Sequence, residues 1–152
     1  MSKKVYVLLA EGFELIEAMT PVDVLRRGGA EVVTVSITDN REVTSAQKVP
    51  VISDTTLKEK DITDGDMIIL PGGYPGYVNL GESQEVGKVL KYYVENNKFV
   101  GAICGAPTVL AKNEVFLGKE LTCHSSVVEE MKGYNYNGSK AFTDENLITG
   151  MG

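Results

Sequence analysis

The chain of 152 residues has no tryptophan, only two cysteines, Cys104 and Cys123, and a single histidine, His124. A structural zinc site takes about four Cys or His ligands at short spacings, so this inventory cannot build one. A Cys104–Cys123 disulfide can be drawn on paper. Nothing else in the composition points to an oxidising compartment, so free thiols in the cytoplasm are the expectation. Basic residues are in the minority: 15 Lys and Arg against 21 Asp and Glu give a net charge of −6. Nucleic-acid binding therefore has no electrostatic support. No apolar run approaches the ~18 residues of a membrane span. The short stretch Val5–Ala10 after the basic start is followed at once by Glu11, which argues against a secretory signal. With no repeat, linker or low-complexity tract, residues 1–152 read as one domain, with no metal or cofactor expected and no nucleic-acid or membrane partner.

What the chain does have is an alternation of strand-like and helix-like segments. "KVYVLLA" (Lys4–Ala10) and "EVVTVSI" (Glu31–Ile37) read as buried strands. Between them Ile16, Met19, Val22, Leu25 and Arg26 trace a helical face ending at Gly28-Gly29, with Pro21 predicting a kink or a late start. Short strand candidates at Glu42–Ser45 and Val49–Ile52 suggest a hairpin. Met67–Leu70 is a strand that breaks into the loop "PGGYPG", and Ser83–Asn97 is helical. "FVGAIC" is a strand that runs into a helix through Lys112. Glu120–Cys123, Lys140–Thr143 and Asn146–Thr149 read as later strands. This order predicts an α/β fold, a doubly wound, mostly parallel sheet with helices on both faces.

In such a sheet, functional groups gather beyond the carboxyl ends of the strands. Ala102-Ile103-Cys104-Gly105-Ala106 has the small-any-nucleophile-any-small spacing of a nucleophile elbow, where a sharp strand-to-helix turn holds the nucleophile exposed. A helix N-terminus there would favour the thiolate, and Pro107 suits an early helical position. A cysteine packed as a small hydrophobe is the commoner fate of a lone thiol, and Cys123, without that context, is read so. Gly72-Gly73 can approach a ligand closely and offer backbone donors to an oxyanion, but matches neither a Walker loop nor a dinucleotide fingerprint. Glu11, Glu14 and Glu17 share one side if a helix begins there. Acids at a helix start suit its dipole without any other role. One of them buried beside a thiol would instead keep its proton and exchange it with a substrate. His124 points away from Cys123 on a strand and matters only if its strand adjoins that of Cys104.

The stretches "LLAEGFELIEAMTPVDVLRRGG", "ILPGGYPG", "AICGAPTVLA" and "TCHSS" fall in order across nearly the whole chain. Together they resemble the DJ-1/ThiJ/PfpI superfamily, in its DJ-1-like branch. The resemblance implies a flavodoxin-like fold of the class I glutamine-amidotransferase type, usually homodimeric. It implies Cys104 as the reactive cysteine, Glu17 as its protonated partner, and Gly73 and Gly105 as backbone donors. It also implies His124 as a nearby pocket histidine and Glu14 as a second acid near the site and the dimer contact. Two departures are informative. Gly105 stands where the peptidase-like branch has the histidine of its triad, which weighs against a peptidase or amidotransferase. Gln47 stands where human-type relatives bring an arginine to an anion pocket.

The activity implied is a cofactor-independent glyoxalase, with deglycase activity as an extension, that detoxifies methylglyoxal and related dicarbonyls through Cys104. The rival is a Cys104-based oxidative-stress sensor or redox-regulated chaperone without turnover. A last expectation concerns the final strand, which in a sheet covered on both faces is normally followed by a helix. The chain is expected to lack a C-terminal helix that covers the sheet near Cys104, or to receive it as a separate peptide of the same protein.

Overall fold

The structure, a computed structural model, describes residues 2–152. In chain order its elements are β1 (Lys4–Leu9), α1 (Leu15–Arg27), β2 (Glu31–Ser36), β3 (Glu42–Thr44), β4 (Pro50–Ile52), β5 (Thr55–Thr56), β6 (Met67–Leu70), α2 (Gly76–Glu82), α3 (Gln84–Glu95), β7 (Phe99–Ile103), α4 (Pro107–Lys112), β8 (Glu120–Leu121), a 3-10 helix (Ser125–Glu130), β9 (Asn135–Tyr136), β10 (Ala141–Asp144) and β11 (Leu147–Gly150). Seven strands form one sheet in the order β10-β11-β7-β6-β1-β2-β5. All run parallel except β10, which pairs antiparallel with β11 at the edge. The doubly wound α/β reading holds.

The middle strands are apolar throughout because both of their faces are covered. On one face Tyr6, Leu8, Ile68, Leu70, Val100 and Ala102 pack with α2, α3 and α4. On the other, Val5, Val7, Leu9 and Ile69 pack under Ala18 and Val22 of α1 and Val43 of the β3–β4 hairpin. Helix α3 starts where Ser83 accepts from the Val86 N–H, and it buries Val86, Leu90 and Tyr93, three positions of the face expected from spacing.

Several expectations need correction. Helix α1 starts at Leu15 and runs through Pro21, so there is no late start. Its buried residues are Ala18 and Val22, whereas Ile16 is 67% exposed. The register follows from the capping of the helix at Glu14, which turns Ile16 outward. Glu11 lies before the helix, where its carboxylate accepts from the Thr44 N–H, so it does not share a helical side with Glu14 and Glu17. The segment Glu120–Cys123 is not a strand of the main sheet: β8 pairs only with β9, and the Thr122 N–H is taken by the Thr149 hydroxyl. Helix α2 was not foreseen in the Gly/Pro loop. It has no side-chain cap and is held by packing, with Leu80 buried and α4 alongside.

Cover is unequal on the α1 side. Beyond Ile69 an apolar groove of about 600 Å³ runs between α1 and the ends of β7 and β11, lined by Val24, Leu25, Met67, Ile103 and Ile148, and reaching Glu17 and Gly152. No helix among the described residues is long and apolar enough to cross a membrane.

Candidate functional site

At the tip of β7 the chain reverses through Cys104, whose φ of 63° puts a non-glycine residue in the left-handed region. Backbone bonds on both sides hold it there. The Cys104 N–H donates to the Gly150 carbonyl (3.0 Å), and the Cys104 carbonyl accepts from the His124 N–H (2.8 Å). The next residue cannot be larger than glycine, since a Cβ on Gly105 would stand 2.6 Å from the Tyr77 ring. Pro107 opens α4, and the Thr108 hydroxyl donates to the Gly105 carbonyl (2.7 Å). The elbow expected from spacing is present, and Cys104 is partly exposed.

Glu17 reaches the same point from the first turn of α1. Its Oε1 accepts from the Gly72 N–H (3.1 Å), which sets its carboxyl beside the Cys104 side chain. Two glycines make this contact possible. A Cβ on Gly72 would fall 2.5 Å from Glu17 Oε1 and 2.6 Å from Cys104 Cβ. One on Gly152 would fall 2.9 Å from Glu17 Oε2 and 3.0 Å from Sγ. The sequence marks Gly72 as a point of close backbone approach but does not single out Gly152. The Gly-Gly doublet carries a signal for the first, and the Gly150-Met151-Gly152 ending a weaker one for the second. Tyr77, which packs on the elbow, carries none.

The electrostatics are those of a pair that shares one charge. Burial is the main force that raises the Glu17 carboxyl above the usual carboxylate range, and the neighbouring Glu14 carboxylate adds to it. Bonds from Gly72 and Cys104, with the charge of His124, pull the other way. Burial and the Glu17 carboxylate likewise push the Cys104 thiol up, opposed by the Gly105 and Gly73 N–H groups that face the sulfur. Two negative charges in one half-buried site are disfavoured, so the two groups titrate together. The expectation of a thiol depressed by a helix N-terminus is not met. Cys104 precedes the cap of α4, and that helix has six residues.

The structure brings Cys104, Glu17, Gly73 and Gly105 together, with Glu14 behind them as the N-cap of α1, its Oε2 accepting from the Glu17 N–H (2.8 Å). His124 is placed differently. Its backbone adjoins Cys104, but its exposed ring caps the 3-10 helix, Nδ1 accepting from the Ser126 N–H (3.1 Å) and pairing with the Ser126 hydroxyl (2.7 Å). It shares no hydrogen bond with Glu17. Gln47 is committed to the start of α1, where its Oε1 accepts from the Leu15 N–H (3.1 Å). Cys123 is fully buried in the core, and both thiols are free. Among the described residues no group of three or more His, Cys, Asp or Glu side chains is placed to hold a metal ion.

The pattern of the DJ-1/PfpI family matches residues 3–152. The chain belongs to the DJ-1/PfpI family. Among its relatives, protein dj-1beta of Drosophila melanogaster is 38% identical over 154 residues, which cover 100% of this chain and 82% of that protein. The crystal structure of that Drosophila protein superposes with a TM-score of 0.95 at 37% identity, covering 100% of this chain and 83% of that one. A Caenorhabditis elegans relative named glutathione-independent glyoxalase DJR-1.2 is 34% identical, covering 99% of this chain and 81% of its own length. An oxidised Toxoplasma gondii DJ-1 structure matches with a TM-score of 0.92 at 27% identity, covering 99% of this chain and 83% of that one. The parallel sheet and the elbow described above are thus set in a DJ-1-like fold.

Proposed function

We propose that the protein is a cofactor-independent glyoxalase that converts methylglyoxal to lactate, with Cys104 as nucleophile and Glu17 as proton carrier. The observation that carries this reading is the convergence of the Glu17 carboxyl and the Cys104 side chain, held at a left-handed elbow, on Gly72 and Gly152. With Glu17 Oε1 accepting from Gly72, Oε2 is the oxygen left to carry the proton of the pair. The thiolate then adds to the aldehyde carbon, a C–S bond forms, and the oxygen that takes the electron pair receives the Glu17 proton, giving a hemithioacetal. The two backbone donors stabilise that oxygen while it is charged. The Glu17 carboxylate next removes the hydrogen of the former aldehyde carbon and returns it to the adjacent carbonyl carbon through an enediol. One carbon is oxidised as its neighbour is reduced, so no outside oxidant is needed. Water cleaves the resulting thioester to lactate and free Cys104. Glycated amines and thiols that carry the same dicarbonyl carbons extend the reading to a deglycase.

The test is lactate formation from methylglyoxal by the purified chain and by Cys104→Ser. Turnover lost in the variant supports the enzyme, and no turnover in either protein removes it. The second reading is an oxidation sensor, favoured by a partly exposed cysteine beside an acid able to donate to a sulfinic oxygen. It predicts two oxygens gained at Cys104 under mild peroxide before any at Cys123.

The single-domain reading with a further helix over the open face stays a proposal. Its support is the groove at Ile103 and Ile148, which reaches Glu17 and would be closed by such a helix. An environment-sensitive dye such as ANS checks it: strong binding by the folded chain fits an uncovered face, and no binding removes the need for a cover.

A further inference from the structure

Three hydrogen bonds close a ring around the acid of the site. The Glu14 N–H donates to the Gly72 carbonyl (2.8 Å), the Gly72 N–H donates to Glu17 Oε1 (3.1 Å), and the Glu17 N–H donates to Glu14 Oε2 (2.8 Å). The ring ties the cap of α1 to the glycine loop that faces Cys104. It also fixes the placement of two carboxyl groups, one of which lies beside the Cys104 side chain. A Cβ on Gly73 would lie 2.3 Å from the Glu14 nitrogen, so the loop is packed directly on the cap. Capping alone would be served by Ser, Thr, Asp or Asn, which are stronger and shorter caps than Glu.

We propose that Glu14 is a positioning residue that biases the shared negative charge of the site toward Cys104. Its carboxylate, locked on the Glu17 backbone, opposes ionisation of the Glu17 side chain and so favours the form with the proton on Glu17. The groups that face Glu17 are few. Glu14 lies on its own helix, Cys104 at the end of β7, and His124 at the start of the 3-10 helix, with the Gly72 N–H from the loop. Of these, Glu14 is the carboxylate that disfavours a charged Glu17, whereas Gly72, Cys104 and His124 favour it. Without Glu14 the balance moves toward a charged Glu17, and a charged Glu17 beside sulfur works against the thiolate. Glu14 touches neither the sulfur nor the substrate in this account, so it acts through Glu17.

The inference rests on the reading of Cys104 and Glu17 as a proton-sharing pair, but its test needs no turnover. The rate of Cys104 alkylation by iodoacetamide is followed against pH in the full chain and four variants. Glu14→Gln keeps a side-chain oxygen for the Glu17 N–H and removes only the charge; its Cys104 profile shifts to higher pH, and the rate at pH 7 falls about threefold, the scale of a half-exposed charge pair. Glu14→Asp keeps the charge and retains most of the wild-type rate. In a Glu17→Gln background, Glu14→Gln produces no shift to higher pH, because there is no second acid left to ionise. A cap of merely structural importance would lower the melting temperature of Glu14→Gln and leave its profile in place, which overturns the proposal. An equal upward shift in both backgrounds overturns it too. Should methylglyoxal turnover be absent throughout, the glyoxalase reading fails while this outcome stays readable.

Discussion

Two carboxylates at opposite ends of the sheet show what environment does to one functional group. At the amino end, Asp64 accepts from the buried Tyr6 hydroxyl and from Lys4 Nζ (2.9 Å), and its carboxyl is pulled down to about 2. At the carboxyl end, Glu17 has one backbone donor, a thiol and another acid for neighbours, and burial pushes it up. Asp64 sits in solvent with partners that welcome its charge. Glu17 sits half-buried where a charge has less support. The first arrangement ties Lys4 of β1 to the loop before β6 and adds to stability. The second gives up stability to keep a mobile proton next to a nucleophile, a pattern typical of reactive sites.

The largest expected effect breaks the reactive end outright. Cys104→Ser reduces lactate formation from methylglyoxal to background with the fold retained, checked by turnover and by circular dichroism. Glu17→Gln comes next, with a loss of about a hundredfold in turnover, the lower range for a general acid–base group. Asp64→Asn keeps turnover near wild type, and equal losses in the two variants would erase the contrast between the ends.

Thiol labelling sharpens the same contrast by exposure. Cys104 is alkylated well before Cys123, whose side chain is fully buried, and peptide mass mapping of a time course shows the order.

The pH dependence of stability separates the two acids by sign. Glu17 is raised in the folded chain, so the native state binds its proton more tightly. Stability falls as pH rises from the ordinary carboxylate range through the folded value, and Glu17→Gln removes that fall. Asp64 is lowered from 3.8 to about 2, so its contribution is present above the ordinary value and is lost as pH falls through about 2. Urea unfolding of wild type and both variants between acid and neutral pH reads the two windows. The smallest effect is the loss in Asp64→Asn at neutral pH, about 1 kcal/mol, since the ion pair is half-exposed and screened.

Much of the fold was legible because it is written locally. The apolar runs of β1, β2, β6 and β7, the periodicity of α3 and the turn chemistry around Cys104 each lie within a few consecutive residues. What failed had no local signature. Strand β5 is two residues long and exists because β2 offers it an edge. Helix α2 forms on glycines with no cap, because Leu80 is buried under it. The Thr122–His124 segment resembles a strand but spends its hydrogen bonds on Thr149 and Cys104.

The sequence by itself determined that a thiol would stand at a strand-to-helix reversal, because small residues stand two positions to either side of it and a proline follows. It also determined that acids would stand at the start of α1. Only the tertiary structure decided which acid meets the sulfur, and that Gly72 and Gly152 make room for the contact while His124 turns to cap a helix instead. It also decided that the thiol is pushed up where a helix dipole had suggested the reverse. The reason is physical. Backbone reversal is set by neighbours in the chain, whereas desolvation and charge act through space, among groups that the folded sheet alone brings together.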